Sequence, residues 1–287
     1  MMVTIIGGVG RMGRWLAHYF SSRGHEVTVS DLNLDKAKAL AETTGVKVAK
    51  SNVEAVKEAD LIVVSTPIQV TPKVINEIAS HIRKGAVVIE ICSLKSSVVE
   101  TMAKIAELDV RPLSIHPLFG PGAQKLAGKK IAVIPIVDSR AETKLTKELF
   151  PGAEIIIAGA EEHDRAMGLA LSLTHFINIV FASIVSEEDI EILKRLGGTT
   201  FTLQLTLAES VMTEEPALHA AIQMENEYTH QYLDKFISRA STIKAWITEK
   251  DKKKFTAFCN RVLSSLSKDA DFTRAYEKMY KVLEALP

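Results

Sequence analysis

Cysteine is almost absent from this chain: Cys92 and Cys259 are the only two in 287 residues. Two cysteines build no disulfide framework, and no Cys/His cluster has the spacing of a zinc site. That excludes a disulfide-stapled secreted scaffold and points to a reducing, cytoplasmic setting. An excess of charge is missing too, since 35 Lys and Arg balance 35 Asp and Glu. No net field therefore draws the chain to nucleic acid or to an acidic membrane, although a local cation or two is enough for a small anion. Internal repeats and low-complexity tracts are lacking, which excludes a solenoid. The first residues run straight into a strand pattern, with no charged region, apolar core and cleavage site of a secretory signal.

One uncharged run needs separate treatment. Residues 166–186 contain no Asp, Glu, Lys or Arg, a length that could cross a bilayer. The run carries Gly168, Ser172, Thr174, His175, Asn178 and Ser183 and has no second span to pair with. The expectation is no membrane association, but a helix buried inside a helical domain.

What is present is an α/β alternation. Residues 3–6, 26–29, 61–64 and 86–89 are short β-rich runs, several of them continuously apolar, as strands covered on both faces of a parallel sheet are. Further strands are expected at 112–115, 131–134 and 154–157. Between the first two, Trp15, Leu16, Tyr19 and Phe20 recur at helical spacing before Gly24. Beyond about residue 160 the β signals stop, and helices are expected at 161–185, 187–196, 199–213, 216–238, 241–249 and 252–286, the last broken near Asp269. The fold class is thus a Rossmann-type, doubly wound parallel sheet over 1–158, followed by an all-helical domain over 159–287. An apolar helix of that size needs cover, so the helical domain is also expected to form a homodimer.

The run Gly8-Val9-Gly10-Arg11-Met12-Gly13 stands between a predicted strand and a predicted helix, the setting that a dinucleotide-binding glycine loop requires. In such loops the first glycine permits the turn, the second admits the pyrophosphate and the third lets helix and strand pack closely. The helix N-terminus then offers unpaired N–H groups to phosphate. Asp31 follows 18 residues after Gly13, at the end of the second strand, where an acid accepts hydrogen bonds from ribose hydroxyls. It would repel a 2′-phosphate, and residues 32–41 hold no Arg. NAD is therefore expected in preference to NADP. Ser65-Thr66-Pro67, after the 61–64 strand, is expected to line the cofactor's path.

His116 opens the loop His116-Pro117-Leu118-Phe119-Gly120-Pro121-Gly122. The following proline restricts it to extended geometry, which fixes the imidazole at a strand end. Position alone leaves it open between a structural and a catalytic histidine.

In their order along the chain, the glycine loop, Ser93-Leu94-Lys95, the His116 loop and the stretch His163-Asp164…Met167…Thr174-His175-Phe176 resemble the prephenate dehydrogenase family of tyrosine biosynthesis. The resemblance spans nearly the whole chain. It implies oxidative decarboxylation of prephenate to 4-hydroxyphenylpyruvate, with His116 and Ser93 catalytic. It also implies that His175, with Ser172 one turn earlier, and Lys95 bind the substrate. On an ideal helix His163 and His175 lie about 18 Å apart and about 120° around the axis, which sets His163 aside as structural or at the rim. Three positions depart from the family's pattern. Glu90 replaces a frequent Asp, Cys92 a frequent Gly, and Thr202 an arginine that holds a substrate carboxylate in many members. Lys95, Arg165 or Arg195 could replace that cation, and arogenate stays open as the substrate. The resemblance also allows fusion to chorismate mutase or prephenate dehydratase modules.

Two other readings stand beside it. A two-domain dehydrogenase of the 3-hydroxyacid or imine-reducing type would carry a lysine on the first long helix after the sheet, and residues 161–191 hold none. A non-catalytic dinucleotide sensor would have no use for His116 and Ser93.

Overall fold

The computed structural model describes residues 1–285; the end of the expected helix at Leu286 lies outside them. Eight strands form one sheet: β1 (Met2–Ile6), β2 (Glu26–Ser30), β3 (Lys47–Val48), β4 (Leu61–Val64), β5 (Val87–Glu90), β6 (Arg111–Pro117), β7 (Lys130–Ile134) and β8 (Glu154–Ile157). Their order is β3-β2-β1-β4-β5-β6-β7-β8. Strand order reverses between β1 and β4, so the crevice at their carboxyl ends is the switch point where such sheets bind ligands. The seven expected strands are all present, within two residues at either end. Lys47–Val48 is too short to show a period, and it enters the sheet only by pairing with β2.

The sheet is not wholly parallel. β6 and β7 run antiparallel, with His116 opposite Ala132, whereas β7 and β8 are parallel again. The connection between β6 and β7 holds no helix, and without a crossover element the returning strand pairs antiparallel.

Helices cover both faces: α1 (Arg11–Ser21), α2 (Leu34–Thr44), α3 (Asn52–Val56), α4 (Thr71–Ile78), α5 (Val99–Ala106) and α6 (Ser139–Leu149). One apolar layer joins Leu16, Ala17 and Phe20 of α1 to Val3, Ile5, Val29 and Val63 of the sheet. The other packs Val74, Ile75 and Ile78 of α4 and Met102 and Ile105 of α5 on Ile6, Ile62, Val64 and Val88. Alternate residues of one strand thus feed opposite layers, which is why β4 reads as four apolar residues in a row.

The helical part holds α7 (Ala160–Met167), α8 (Thr174–Val185), α9 (Ile190–Leu196), α10 (Thr199–Met212), α11 (Pro216–Met224), α12 (Thr229–Thr248), α13 (Lys252–Leu266) and α14 (Ala275–Glu284). By internal contacts the chain divides into two compact units. One is Met1–Met167 with Ala220–Asn226; the other is Gly168–His219 with the residues from Glu227 on. α7 therefore belongs with the sheet. Its Asp164 carboxylate takes backbone N–H groups of Lys95 and Ser96, and the Asn226 side chain donates to the Asp164 carbonyl at 2.8 Å.

Three helical expectations change. Between α7 and α8, Gly168–Leu173 is π-helical, so counting 3.6 residues per turn from His163 to His175 fails. The stretch 216–238 breaks after Met224, and α12 then runs through the expected gap at 239–240. The uncharged run is also not buried as expected. The helix Ala160–Val185 is apolar and long enough to cross a membrane, and only 22% of its most apolar window is buried within the chain. α8 packs mainly on α10, which leaves Val180 and Ile184 exposed.

Candidate functional site

The glycine loop leaves β1 at its carboxyl end and turns into α1. The residue with a left-handed backbone is Gly7 (φ +77°), one before the expected motif; a Cβ there would lie 2.3 Å from the Ser65 carbonyl oxygen. Gly7 thus performs the turn that was expected of Gly8. Gly8 is needed for packing instead, since its Cβ would stand 2.7 Å from Cβ of Val29. Gly13 packs on the loop, with a Cβ position 2.1 Å from the Gly7 oxygen, whereas Gly10 is open but for one contact at 3.3 Å. The loop's close approaches therefore face the protein at Gly7, Gly8 and Gly13, and Gly10 keeps a bare side.

α1 begins at Arg11 after Gly10, with no side-chain cap and no acidic residue in its first turn. A helix N-terminus without a side-chain cap or a first-turn acid suits a phosphate. Asp31 lies beside them: its carboxylate accepts from Val9 N at 3.1 Å and Asn33 N at 3.0 Å. Ser65-Thr66-Pro67 abuts Gly7 and leads into α4, where the Thr66 and Thr71 hydroxyls meet at 2.8 Å. Val9, Arg11 and Met12 complete the loop. An uncapped helix, a bare glycine and an adjacent carboxylate fit a dinucleotide.

His116 lies on β6, at the same carboxyl edge of the sheet, and is 7% exposed. Its Nδ1 is 2.9 Å from Nε2 of His163, and Nδ1 of His163 is 2.8 Å from Oδ1 of Asp164. Asp164 also accepts from Lys95 N (2.9 Å), Ser96 N (2.8 Å) and the Ser96 hydroxyl (2.6 Å). Burial alone would raise the Asp164 pKa. Hydrogen bonds from His163, the Ser96 hydroxyl and the two N–H groups outweigh it, and the pKa ends below the usual carboxylate range. For His116, burial first and the Lys95 ammonium second hold the pKa well below 6.5, with Asp164 opposing. His116 is therefore neutral at pH 7, and its Nε2 has no protein partner among the described residues.

Lys95 does not present its charge. It is 0% exposed, and its ammonium meets Oε1 of Glu90 at 2.8 Å and the Ile115 carbonyl at 2.6 Å. Glu90 is equally buried and also takes the Ser114 hydroxyl and Cys92 N. The pair braces the end of β6 directly before His116. Burial, then the Glu90 charge, pushes the Cys92 thiol up to about 12, so Cys92 is an inert neighbour.

Ser93 is half-buried and makes no hydrogen bond to His116; the serine tied to this network is Ser96. His163, Asp164, Ser96 and Asn226 are the residues that the sequence reading missed. The dipeptide His163-Asp164 was their one visible signal.

The helical unit holds the other expected residues. Ser172 sits fully buried on the π-helical segment. His175 is half-buried on α8, with its ring 5.7 Å from that of His219. Nδ1 of His175 and both nitrogens of His219 are buried without a hydrogen-bond partner. Burial and the neighbouring His219 lower the His175 pKa. Thr202 is exposed on α10, its hydroxyl 3.3 Å from the Gly198 carbonyl. Of the suggested replacement cations, Lys95 is consumed by Glu90, and Arg165 pairs with Glu161 at 2.8 Å.

Known proteins share this layout. Residues 16–133 match the family model described as prephenate dehydrogenase, nucleotide-binding domain, and residues 159–260 match that of the prephenate dehydrogenase dimerization domain. The first match begins after the glycine loop. A probable arogenate/prephenate dehydrogenase of Methanocaldococcus jannaschii is 27% identical over 94% of this chain and 62% of its own length. The T-protein of Enterobacter agglomerans is 25% identical over 91% of this chain and 66% of its own. The chain thus spans about two thirds of these curated relatives. Among solved structures, prephenate dehydrogenase from A. aeolicus, in complex with hydroxyphenyl propionate and NAD+, superposes with a TM-score of 0.74 at 19% identity, over 94% of this chain and 98% of that one. Synechocystis arogenate dehydrogenase gives 0.68 at 17% identity, over 93% and 99%. At such identities the superpositions speak for the fold alone.

Proposed function

The chain belongs to the prephenate dehydrogenase family, and from that premise we propose that it oxidises and decarboxylates prephenate to 4-hydroxyphenylpyruvate with NAD. The observation that carries the reading is the buried His116, bonded at Nδ1 to His163 and without a partner at Nε2 among the described residues, at the sheet edge that also bears the glycine loop. NAD, when bound, supplies the acceptor for the hydride leaving the ring carbon that bears the hydroxyl. Gly10 and the first turn of α1 hold its phosphates, and Asp31 its ribose hydroxyls, which favours NAD over NADP. Ser65-Thr66-Pro67 lines its path.

Nε2 of His116 takes the hydroxyl proton as the carbonyl forms, a general-base role suited to an imidazole that stays neutral below pH 6.5. The ring carboxylate then leaves as carbon dioxide, and aromatisation draws the step forward. Lys95 and Glu90 act at one remove, by fixing the strand end that carries the base. His175 and Ser172 of the helical unit remain the proposed substrate contacts. We also propose a homodimer through the helical unit, since its matched family domain is described as a dimerization domain and α8 leaves apolar side chains bare. A cytoplasmic location accords with the two free thiols.

The test is NADH or NADPH formation with prephenate and with arogenate, each offered with NAD and with NADP. Turnover is expected with prephenate and NAD; faster turnover with arogenate would reassign the substrate, and none in all four pairings would sink the enzyme. His116→Asn should lower kcat roughly 10²–10⁴-fold with cofactor affinity retained.

A further inference from the structure

Asp164, His163 and His116 form an unbranched chain of hydrogen bonds, each partner within 2.9 Å of the next. The protons on that chain follow from its buried end. An ionised carboxylate has no proton to give, so Nδ1 of His163 carries one. The relay requires Nε2 of His163 to be the acceptor, so that His116 donates from Nδ1. That leaves the lone pair of His116 on Nε2, the nitrogen with no partner among the described residues. The backbone N–H groups of Lys95 and Ser96 and the Ser96 hydroxyl anchor the carboxylate that starts the sequence.

We propose that Asp164 and His163 are positioning residues for proton transfer: they fix the tautomer of His116 and take over the proton it displaces. The inference rests on the reading of His116 as base and extends it to two residues that touch neither substrate nor cofactor. As the substrate O–H bond breaks, an N–H bond forms at Nε2 of His116. The Nδ1–H bond of His116 breaks in turn, and its proton bonds to Nε2 of His163. No electrons change hands within the relay, and the positive charge comes to rest beside Asp164. Charge left on His116 would sit in a buried site facing the Lys95 ammonium, which disfavours it. Passing it one imidazole further puts it against a carboxylate already held ionised by four donors. Burial of His163 and Asp164, each under 5% exposed, keeps water from short-circuiting the chain.

Asp164→Asn separates positioning from packing. The amide oxygen can keep the Ser96 donors, while its NH2 faces Nδ1 of His163 and turns that nitrogen into an acceptor. His163 then donates from Nε2, and His116 is forced to carry its proton on Nε2, where it cannot accept another. The experiment is imidazole 15N NMR of the full chain, together with steady-state kinetics, on the unaltered protein, Asp164→Asn and His116→Asn. The unaltered protein should show His116 protonated at Nδ1. Asp164→Asn should move that proton to Nε2 and lower kcat roughly 10²–10⁴-fold, with KM and NAD affinity within threefold. An Nε2–H tautomer of His116 in the unaltered protein overturns the proposal, and that spectrum decides even if Asp164→Asn fails to fold. So does an Asp164→Asn protein that keeps its kcat. If the unaltered protein turns over neither substrate, the functional reading fails while the tautomer is still measured. If it turns over, His116→Asn is inactive and Asp164→Asn is not, the relay alone fails.

Discussion

The two units differ in how the polar groups buried around their expected site residues are paired. In the sheet unit, Glu90, Lys95, His163 and Asp164 are almost wholly buried, and each is bonded to a named partner. In the helical unit, His219 is buried with neither nitrogen bonded, and Nδ1 of His175 and the Thr229 hydroxyl are likewise without partners. The apolar side follows suit. The sheet is sealed in two layers of side chains, whereas Ile184, Leu207, Ile237 and Ile247 of the helical unit are more than half exposed. Buried polar groups in folded proteins are nearly always paired, and apolar faces of this extent are usually covered. The network around His116 is thus paired within one chain, although the sheet unit also buries one bare hydroxyl, that of Thr143. The helical unit closes neither account by itself, which accords with the proposed dimer.

The contrast can be broken by experiment. Each unit holds one tryptophan, Trp15 in the sheet and Trp246 in the helices, so urea unfolding of each can be followed separately in Trp246→Phe and Trp15→Phe backgrounds. The largest effect is expected for Lys95→Met, which strands a buried Glu90 carboxylate: the Trp15 transition should lose about 3–5 kcal/mol. A loss under about 1 kcal/mol would mean that the pair braces nothing.

The pH response comes next. His116 has a folded pKa below its unfolded value, so between the two the unfolded chain binds the extra proton. Stability of the sheet unit is then full above about pH 6.5 and falls as pH drops below it, by at most about 1.4 kcal/mol per pH unit for one proton. Asp164, with a depressed folded pKa, adds a further loss only below the unfolded carboxylate pKa near 3.9. A Trp15 transition that is flat from pH 7.5 to 5.5, or a slope undiminished in His116→Asn beyond the share of His25, whose pKa is also lowered, would break this assignment. The smallest effect is expected for His219→Leu, which removes two unpaired nitrogens: the Trp246 transition should stay within about 1 kcal/mol or rise. A loss as large as that for Lys95→Met would erase the difference between the units.

Much of the fold was legible because its signals are local. β4 shows itself by four apolar residues, and α1 by Trp15, Leu16, Tyr19 and Phe20 at helical spacing. The antiparallel β7 was not legible, since direction depends on the route of residues 118–129. Gly7 was passed over because the motif begins at Gly8, and only the close approach of the Ser65 carbonyl shows which glycine makes the turn. The strand-end position of His116 was readable from the proline and glycine around it, and its role only from the resemblance. Its partner was not: 47 residues separate His116 from His163, and the ideal-helix count crossed a π-helical segment that the sequence does not announce.

By itself the sequence determined the sheet with its glycine loop, the acid at Asp31, the all-helical second half and the histidine at a strand end. Each follows from short-range periodicity or from the backbone limits of glycine and proline. Tertiary structure alone decided which charges face the solvent. Lys95 and Asp164 are ordinary surface residues by composition. The packing of α7 on the 90–96 turn makes one a buried brace and the other the anchor of a proton path. Composition carries no record of desolvation, and desolvation is what changes the chemistry of these groups.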